Sequence, residues 1–490
     1  MVTLPLSSRM NLKNGNRLRA LSWFFLKFGS VIKSEEIRAL TRKYPNTFVR
    51  IYKFPWYDVL YYLIFRHEKC TQSELSTYYS RIGKKKLRIS KQAAFKAIKK
   101  VRPDVFRTLI RRFAELFYRS SLVKTHKGYI LLAEDGTCNE LLPSGESLEQ
   151  FTFVKNRFVR EEADARKVTS QSASLYDVTN GLVVDFSMDA YHTPEMSIAV
   201  QHLKESQDLF AGRKVVYLAD RAYGGVELFS ILEGYGFNYC IRGKNYFFKK
   251  QISQMGSDDE WITVRLDREW LKRLKYDQPK ERFSANPEIT VRVVKHFYQY
   301  VDEDGQEQTT LLLYFTNLPK TVFTTEEIIE LYSKRWDLEV SYKTLKTDYE
   351  WERFFSTDCD CELCAIYSKV LFHNITGIVR KELDAVHAQE AETLENQYRY
   401  VANITQLGKC LVEYGICRYM RSMNGKAMNR TLKEIYALRH KLKVPVRPNR
   451  HFTRWGRPVT SSRPVRFRID GRNWPRIARC PSGAWVTVHA

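Results

Sequence analysis

The sequence predicts an α/β fold in which a mixed-sheet core lies between an all-α N-terminal region and further helices with a basic tail. Between residues 123 and 385, short runs typical of strands alternate with segments of helical periodicity. Residues before 123 show helical periodicity, and 246–307 has the pattern of a β-rich insertion. At ~150 residues per domain, a chain of 490 residues is expected to contain about three domains.

Charge is distributed unevenly along the chain. The formal net charge is +25; residues 1–122 contribute +20, residues 441–490 contribute +11 and the centre contributes −6. Such an excess most often binds a polyanion, either nucleic acid or an anionic membrane surface. Basic ends around an acidic centre favour a protein that grips phosphates with its flanks and keeps carboxylates for chemistry. The alternative is that the surplus Lys and Arg only solvate helix surfaces.

Membrane and secreted classes are not favoured. No apolar run reaches the ~20 residues that span a bilayer, and the early run 21–32 is interrupted by Lys27. Nine scattered cysteines do not suggest a disulfide framework, so we expect a soluble protein of the reducing cytoplasm. Cys359, Cys361 and Cys364 lack a second Cys/His pair at zinc-finger spacing, which favours core packing over a metal.

Within residues 1–122, two helices and a turn form a pattern like a helix-turn-helix. The first starts in the Ser/Thr-rich segment 71–76, and the second, 90–100, follows a turn at Gly83. The second helix has an apolar stripe, and its polar side chains are available for a DNA groove: Lys91, Gln92, Lys96 and Lys99. We predict a DNA-binding domain at 1–122. The alternative is an ordinary amphipathic helix with a Lys-rich outer face.

The elements of the core follow in order. Strands are predicted at 129–134, at 170–190 as a pair joined by the turn 179–181, at 214–220, at 238–242 and at 311–316. Helices are predicted at 195–210, at 225–236 and, as one long helix, from about residue 324. This gives a catalytic domain at 123–385 with its insertion at 246–307. Helical segments at 390–400 and 429–440 form a region 386–440, and the Pro- and Arg-rich stretch 441–490 is an extended tail.

Two aspartates stand where a ligand is expected in an α/β sheet. Asp135 ends the predicted strand 129–134, and Asp220 ends the strand predicted from 214. Ligands bind at strand ends because backbone groups are free there and loops leave an opening. Each could instead be a helix cap or a turn residue.

The predicted long helix carries four polar residues on one face. At about 100° per residue, Tyr332, Arg335, Glu339 and Lys346 share an arc of about 60°, and Lys343 flanks it. Such a face suits a carboxylate that holds a metal beside cations that hold phosphates. A solvated charged face is the alternative.

These four residues resemble a known signature. The tract 332–346 matches the Y-x2-R-x3-E-x6-K pattern of bacterial insertion-sequence transposases of family four, which are of the DDE type. Asp135, in Asp-Gly-Thr, resembles that family's first catalytic aspartate, Asp220, in Asp-Arg-Ala-Tyr, resembles its second, and Glu339 resembles its third. The resemblance covers about 125–380.

The resemblance implies an RNase-H-like core, two Mg²⁺ ions that Mn²⁺ can replace, and cut-and-paste movement of DNA. Asp135, Asp220 and Glu339 would hold the metals, and Tyr332, Arg335, Lys346 and, less centrally, Lys343 would hold phosphates. The partners would be double-stranded DNA, both terminal inverted repeats and target, with a homodimer in the synaptic complex of a bacterial cytoplasm. A metal-dependent nuclease without strand transfer and a non-catalytic DNA-binding derivative remain alternatives.

Overall fold

The computed structural model describes residues 6–49, 53–67, 70–152, 168–301, 305–391, 398–447, 476–479 and 485–488. Six helices precede the first strand: α1 (Leu6–Ile32), α2 (Glu35–Thr41), α3 (Trp56–Ile64), α4 (Thr71–Arg81), α5 (Lys91–Ile98) and α6 (Asp104–Tyr118). They form because apolar residues recur every three or four positions, as in α6, where Val105, Leu109 and Phe113 are buried together. The two helices of the predicted helix-turn-helix are α4 and α5.

A single sheet of eight strands forms the centre of the molecule. Its strands are β1 (Tyr129–Leu141), β2 (Val168–Asp177), β3 (Leu182–Ala190), β4 (Lys214–Ala219), β5 (Asn238–Arg242), β6 (Asp259–Arg265), β7 (Glu288–Val301) and β8 (Glu307–Thr316). Their order across the sheet is β3-β2-β1-β4-β5-β8-β7-β6. β1, β4 and β5 are parallel to one another, whereas the remaining neighbours pair antiparallel. The sheet is therefore mixed.

The predicted insertion 246–307 is not a separate β unit. Its two strands, β6 and β7, extend the main sheet through β8. Three short helices accompany them. The α-helices described between β1 and β7 are α7 (Gly145–Gln150), α8 (Glu195–Ser206), α9 (Val226–Gly234), α10 (Lys249–Ser253), α11 (Arg268–Arg273) and α12 (Asp277–Ala285). The last three are the ones within 246–307. The segment is mixed rather than β-rich.

The long helix predicted from residue 324 is interrupted. The chain forms α13 (Thr325–Ser333) and α14 (Trp336–Lys343), and then a π-helical turn, Thr344–Asp348. At the junction the amides of Lys334 and Arg335 donate to carbonyls three residues back, which tightens the turn and ends the regular α-helix. The prediction of one helix was wrong at this point, although Arg335 still lies beside both Tyr332 and Glu339.

The remaining elements are α15 (Cys359–Ala391), β9 (Arg399–Ala402), α16 (Ile404–Glu413), α17 (Ile416–Ser422), α18 (Gly425–Ala437), α19 (Arg439–Leu442), β10 (Lys443–Val446), β11 (Arg476–Arg479) and β12 (Trp485–Val488). The helix predicted at 390–400 was wrong at its end, because 399–402 form a strand paired with β10. Residues 392–397 of that prediction lie outside the described residues. Much of the predicted tail does too, although β11 and β12 pair as a hairpin.

The N-terminal helices share one core with the C-terminal ones. Arg17 of α1 forms an ion pair with Glu382 of α15 at 2.5 Å, and the fully buried Asp58 of α3 accepts hydrogen bonds from Arg421 of α17. A buried charge pair of this kind joins its elements tightly, since removing one partner leaves an uncompensated charge. The continuous helix α15 also crosses the boundary predicted at 385/386. Residues 1–122 are thus integrated with the rest of the chain.

Within the described residues, no helix has the length and apolar character needed to cross a membrane. The three neighbouring cysteines, Cys359, Cys361 and Cys364, are buried in α15, where they pack with the core.

Candidate active site

Asp135 lies within β1 rather than at its end. The strand continues to Leu141 because β2 pairs with it along its whole second half, as far as Leu141 opposite Val168. On the other side, the parallel pairing with β4 stops at Ala133 and Leu218. The sheet therefore opens beside Asp135 on the β4 side. The predicted strand end is wrong for the pairing of β1 with β2, which continues past Asp135, but it agrees with the pairing of β1 with β4, which stops before it.

Asp220 follows β4 directly and faces the same opening. It stands two residues beyond Leu218, as Asp135 stands two residues beyond Ala133, the partner of Leu218. Its Oδ1 accepts a hydrogen bond from the amide of Ala222 at 2.7 Å, which fixes the carboxylate at the start of the loop. Parallel neighbours in register thus bring the two aspartates together at one edge of the sheet.

Glu339 reaches this edge through Arg335. The guanidinium donates from Nη2 to Glu339 Oε1 at 2.7 Å and from Nη1 to Asp135 Oδ2 at 3.3 Å. Arg335 is 6 % exposed, whereas the carboxylates of Asp135 and Glu339 are only partly buried. The Arg335 Nε has no hydrogen-bond partner among the described residues. Tyr342 of α14 also donates to the backbone carbonyl of Asp135 at 2.7 Å. The signature segment is therefore attached directly to β1.

The carboxylates of the site influence one another's charge. Burial, together with the charges of Asp220 and Glu339, raises the pKa of Asp135 to about 7, although Arg335 and the Gly136 amide lower it. Arg335 compensates Asp135 and Glu339 in this conformation. Asp220 has no Lys, Arg or His partner among the described residues.

The donor set fits a hard divalent ion, because it consists of carboxylate oxygens. As the side chains stand, the described residues contain no group of three or more His, Cys, Asp or Glu that could hold a metal ion. Binding of an ion by Asp135 and Glu339 together would require Arg335 to move from between them. Asp220, in contrast, is available as it stands.

Sequence reasoning missed a fourth carboxylate at this edge. Glu195, the first residue of α8, accepts a hydrogen bond from Gln171 Nε2 at 3.0 Å. Burial and the charge of Asp220 raise the pKa of Glu195. An acid in the first turn of a helix is ordinarily explained by the helix dipole, so its position in the sequence carried no signal. The one sequence feature that indicates a close approach at this point is Gly136, the residue after Asp135, because a glycine leaves room for another group against the strand.

The other residues of the signature have distinct surroundings. Tyr332 is buried and packs against Tyr314 with ring centroids 4.9 Å apart. Lys343 is exposed, and Lys346 donates from Nζ to the carbonyl of Cys138 at 2.7 Å. Tyr332 therefore packs beneath Arg335 as part of the core. Lys343 is exposed to solvent and could contact a ligand, whereas Lys346 is bonded to the part of β1 that follows Asp135.

We expect Lys346→Ala to lower the DNA cleavage that the family resemblance implies about tenfold while leaving the fold intact, since it removes one charge-assisted hydrogen bond to β1 and the cation that the resemblance assigns to phosphate. Single-turnover cleavage and thermal unfolding would measure the two effects. Lys343→Ala is the matched comparison, because Lys343 is on the same segment but does not contact β1. Equal losses in both variants would mean that the contact with Cys138 is unimportant.

The predicted recognition helix, α5, begins with a well-formed cap. Ser90 Oγ accepts from the amide of Ala93 at 3.3 Å, and Gln72 of α4 bonds to the amide of Lys91 at 2.9 Å, which fixes the two helices together. The side chains of Lys91, Gln92 and Lys96 are exposed.

One face of α5 is directed to the chain that follows the signature segment. Phe95 stacks on Phe355 with centroids 5.9 Å apart, and Lys99 pairs with Asp358 at 3.3 Å. Lys99, which directly follows the last residue of α5, is therefore partly engaged by an ion pair within the protein.

Part of the chain is similar to a known protein family. Residues 151–375 match a family model described as "Transposase DDE domain", which is just under half of the chain and includes Asp220 and Glu339 but not Asp135. Among solved structures, a cryo-EM structure of the piggyBac transposase synaptic complex with hairpin DNA is similar at a TM-score of 0.40 and 10 % identity, covering 85 % of each chain. The comparison with curated proteins gives no match.

Proposed function

We propose that the chain is a DDE transposase that binds the ends of an insertion sequence and catalyses metal-dependent DNA cleavage and strand transfer. The observation that carries this is the meeting of Asp135 and Asp220 on neighbouring parallel strands with Glu339, which is joined to Asp135 through Arg335. The similarity of 151–375 to a transposase DDE domain supports the same conclusion.

We assign the enzyme to family four of the insertion-sequence transposases, with an RNase-H-like core. The signature residues Tyr332, Arg335, Glu339 and Lys346 support the family assignment. The core assignment is supported by the strand order β3-β2-β1-β4-β5, with parallel pairing confined to β1, β4 and β5. The remaining strands, β8, β7 and β6, continue the sheet on the side of β5.

Asp135, Asp220 and Glu339 would hold two Mg²⁺ ions. When bound, such ions activate the attacking oxygen and stabilise the leaving oxygen of an in-line displacement. The protein's own part begins with Arg335, which leaves Glu339 and Asp135 and presents its guanidinium to a phosphate of the bound strand. Lys343, exposed beside it, neutralises a second phosphate. Tyr342 keeps the Asp135 backbone in place throughout.

Cleavage is expected to stop in EDTA and to resume with either Mg²⁺ or Mn²⁺. Ca²⁺ should support binding of the ends without turnover, because it tolerates looser coordination than in-line displacement requires. The measurement is cleavage of end-containing DNA in buffers that differ only in the cation, with a gel-shift assay beside it. Full cleavage in EDTA would disprove the metal mechanism.

Sequence recognition is expected from α5. Gln92→Ala should reduce discrimination between cognate and scrambled ends more than total affinity, since an amide can contact adenine through two hydrogen bonds. Lys99→Ala should weaken binding to both kinds of DNA alike, because it removes a phosphate-binding charge, as increasing salt also does.

The assay requires the full chain, because residues 1–122 share their core with α15 and α17. Gel shifts with cognate and scrambled ends, at two salt concentrations, separate affinity from specificity. Ala93, which is exposed on the same helix, gives a neutral control as Ala93→Ser. If Gln92→Ala keeps full discrimination, sequence is recognised elsewhere in the chain.

Two alternatives share part of this evidence, namely a nuclease without strand transfer and a DNA-binding derivative without activity. Incubation of the protein with pre-cleaved ends and a target plasmid separates them. Joined products support a transposase, cleavage without joining supports a nuclease, and binding alone supports the derivative. We place the protein in a bacterial cytoplasm, where a homodimer would bring two element ends together.

A further inference from the structure

Gly136 leaves a gap in β1 that the Glu195 carboxylate fills. A Cβ atom at residue 136 would lie 2.4 Å from Glu195 Oε1 and 2.6 Å from Gln171 Nε2. Real Cβ atoms do not approach other atoms so closely, so any larger residue here would displace Glu195. The missing side chain beside Asp135 thus lets a carboxylate from α8 come against the backbone of the catalytic strand.

Glu195 is held in this place by the groups around it. Gln171, which lies on β2 opposite Cys138, donates to Oε1 at 3.0 Å. Tyr223 is 2 % exposed, and its hydroxyl is close enough to lower the pKa of Glu195, yet it makes no hydrogen bond of regular geometry. Both neighbours are neutral. They orient the carboxylate without compensating its charge.

The charge balance distinguishes two pairs of carboxylates. Asp135 and Glu339 share Arg335. Glu195 lies against Gly136, the residue after Asp135, and Asp220 is level with Asp135 across the parallel pair β1 and β4, so both carboxylates stand at the same opening. Neither has a Lys, Arg or His ion-pair partner among the described residues, and the charge of Asp220 raises the pKa of Glu195. Two neighbouring carboxylates in a partly buried site are costly unless a cation lies between them. Mg²⁺ commonly binds through only one or two carboxylates, with water and phosphate oxygens completing its coordination.

We propose that Glu195 is a fourth carboxylate of the catalytic centre and binds one divalent cation together with Asp220. The binding of a cation by Glu195 and Asp220 does not depend on the proposed function, whereas the reaction that this cation would serve does. It gives the centre a cation position that does not require Arg335 to move, so one ion can bind before DNA does.

Titration of the DNA-free full-length protein with Mn²⁺, followed by electron paramagnetic resonance, tests the proposal. Glu195→Gln keeps an oxygen that accepts from Gln171 but removes the charge, and it should weaken Mn²⁺ binding about tenfold or more, since even outer groups at metal sites have effects of this size. Gly136→Ala should have a similar effect by displacing Glu195. Asp208→Asn, on the exposed turn after α8, and Gly15→Ala, where a Cβ meets no atom within 4 Å, are the matched controls.

Unchanged Mn²⁺ affinity in Glu195→Gln would overturn the proposal, as would a loss of cleavage in that variant without a loss of Mn²⁺ binding. Thermal unfolding of each variant shows whether weaker Mn²⁺ binding results from a loss of fold. Gly136→Ala tests the same site by moving the Glu195 carboxylate rather than by changing it. If the wild type binds Mn²⁺ through Glu195 but neither cleaves nor joins element ends, the proposed function fails while this site stands. If Asp220→Ala stops both Mn²⁺ binding and DNA cleavage but Glu195→Gln changes neither, the role of Glu195 fails while the proposed function stands.

Discussion

Alanine at Asp135, Asp220 or Glu339 is expected to lower DNA cleavage by about 10³-fold or more, because each removes an oxygen ligand from the proposed metal centre. Binding of the element ends should change little, since it depends on the basic flanks. Single-turnover cleavage of end-containing DNA measures the first effect, and a gel-shift assay measures the second.

The three variants are not equivalent in this structure. Asp135→Ala and Glu339→Ala each remove one partner of the buried Arg335 guanidinium, so they also disturb its ion pairs. Asp220→Ala removes a carboxylate that has no Lys, Arg or His partner in the part of the chain that the structure describes. Asp220→Ala is therefore the clearest test of the metal role. Asp208→Ala controls for the loss of one negative charge, and most cleavage remaining in any of the three would exclude that residue as a ligand.

Arg335→Ala is expected to reduce cleavage about 10²- to 10³-fold while Mn²⁺ binding is kept or becomes tighter. In the proposed mechanism the guanidinium binds a phosphate, whereas in this structure it lies between Asp135 and Glu339, where it would compete with a cation. Its removal therefore weakens engagement of the DNA end and strengthens attraction of the acids for a metal. Single-turnover cleavage and Mn²⁺ titration of the same preparation measure the two effects.

The neighbouring Lys334 provides the control, because within the described part of the chain its ion pair is with Glu330 on the surface of α13. Lys334→Ala should leave both measurements unchanged. Arg335→Lys keeps the charge but loses the two-pronged geometry, and it should recover only part of the cleavage. Loss of Mn²⁺ affinity in Arg335→Ala would contradict the assigned role, since it would show that the guanidinium supports the metal site rather than competing for it.

Local patterns predicted most of the regular elements of the core. Strands β2 to β5 and helices α8 and α9 lie close to their predicted positions because alternation and helical periodicity report which face of a segment is buried. Asp220 was located correctly for the same reason, since an acid after a buried run marks the end of a strand. The break before Trp336 was missed, because three-residue hydrogen bonds leave little trace in the periodicity of α13 and α14.

By itself, the sequence determined the order of strands and helices in the core, the position of Asp220 and the signature residues from Tyr332 to Lys346. Only the tertiary structure decided that Arg335 joins Glu339 to Asp135, that Glu195 reaches the same edge past Gly136, and that the N-terminal helices share a core with α15. The physical reason is that periodicity reports burial within one segment, whereas these contacts join segments far apart in the chain. They depend on strand register and on the space that a missing Cβ leaves.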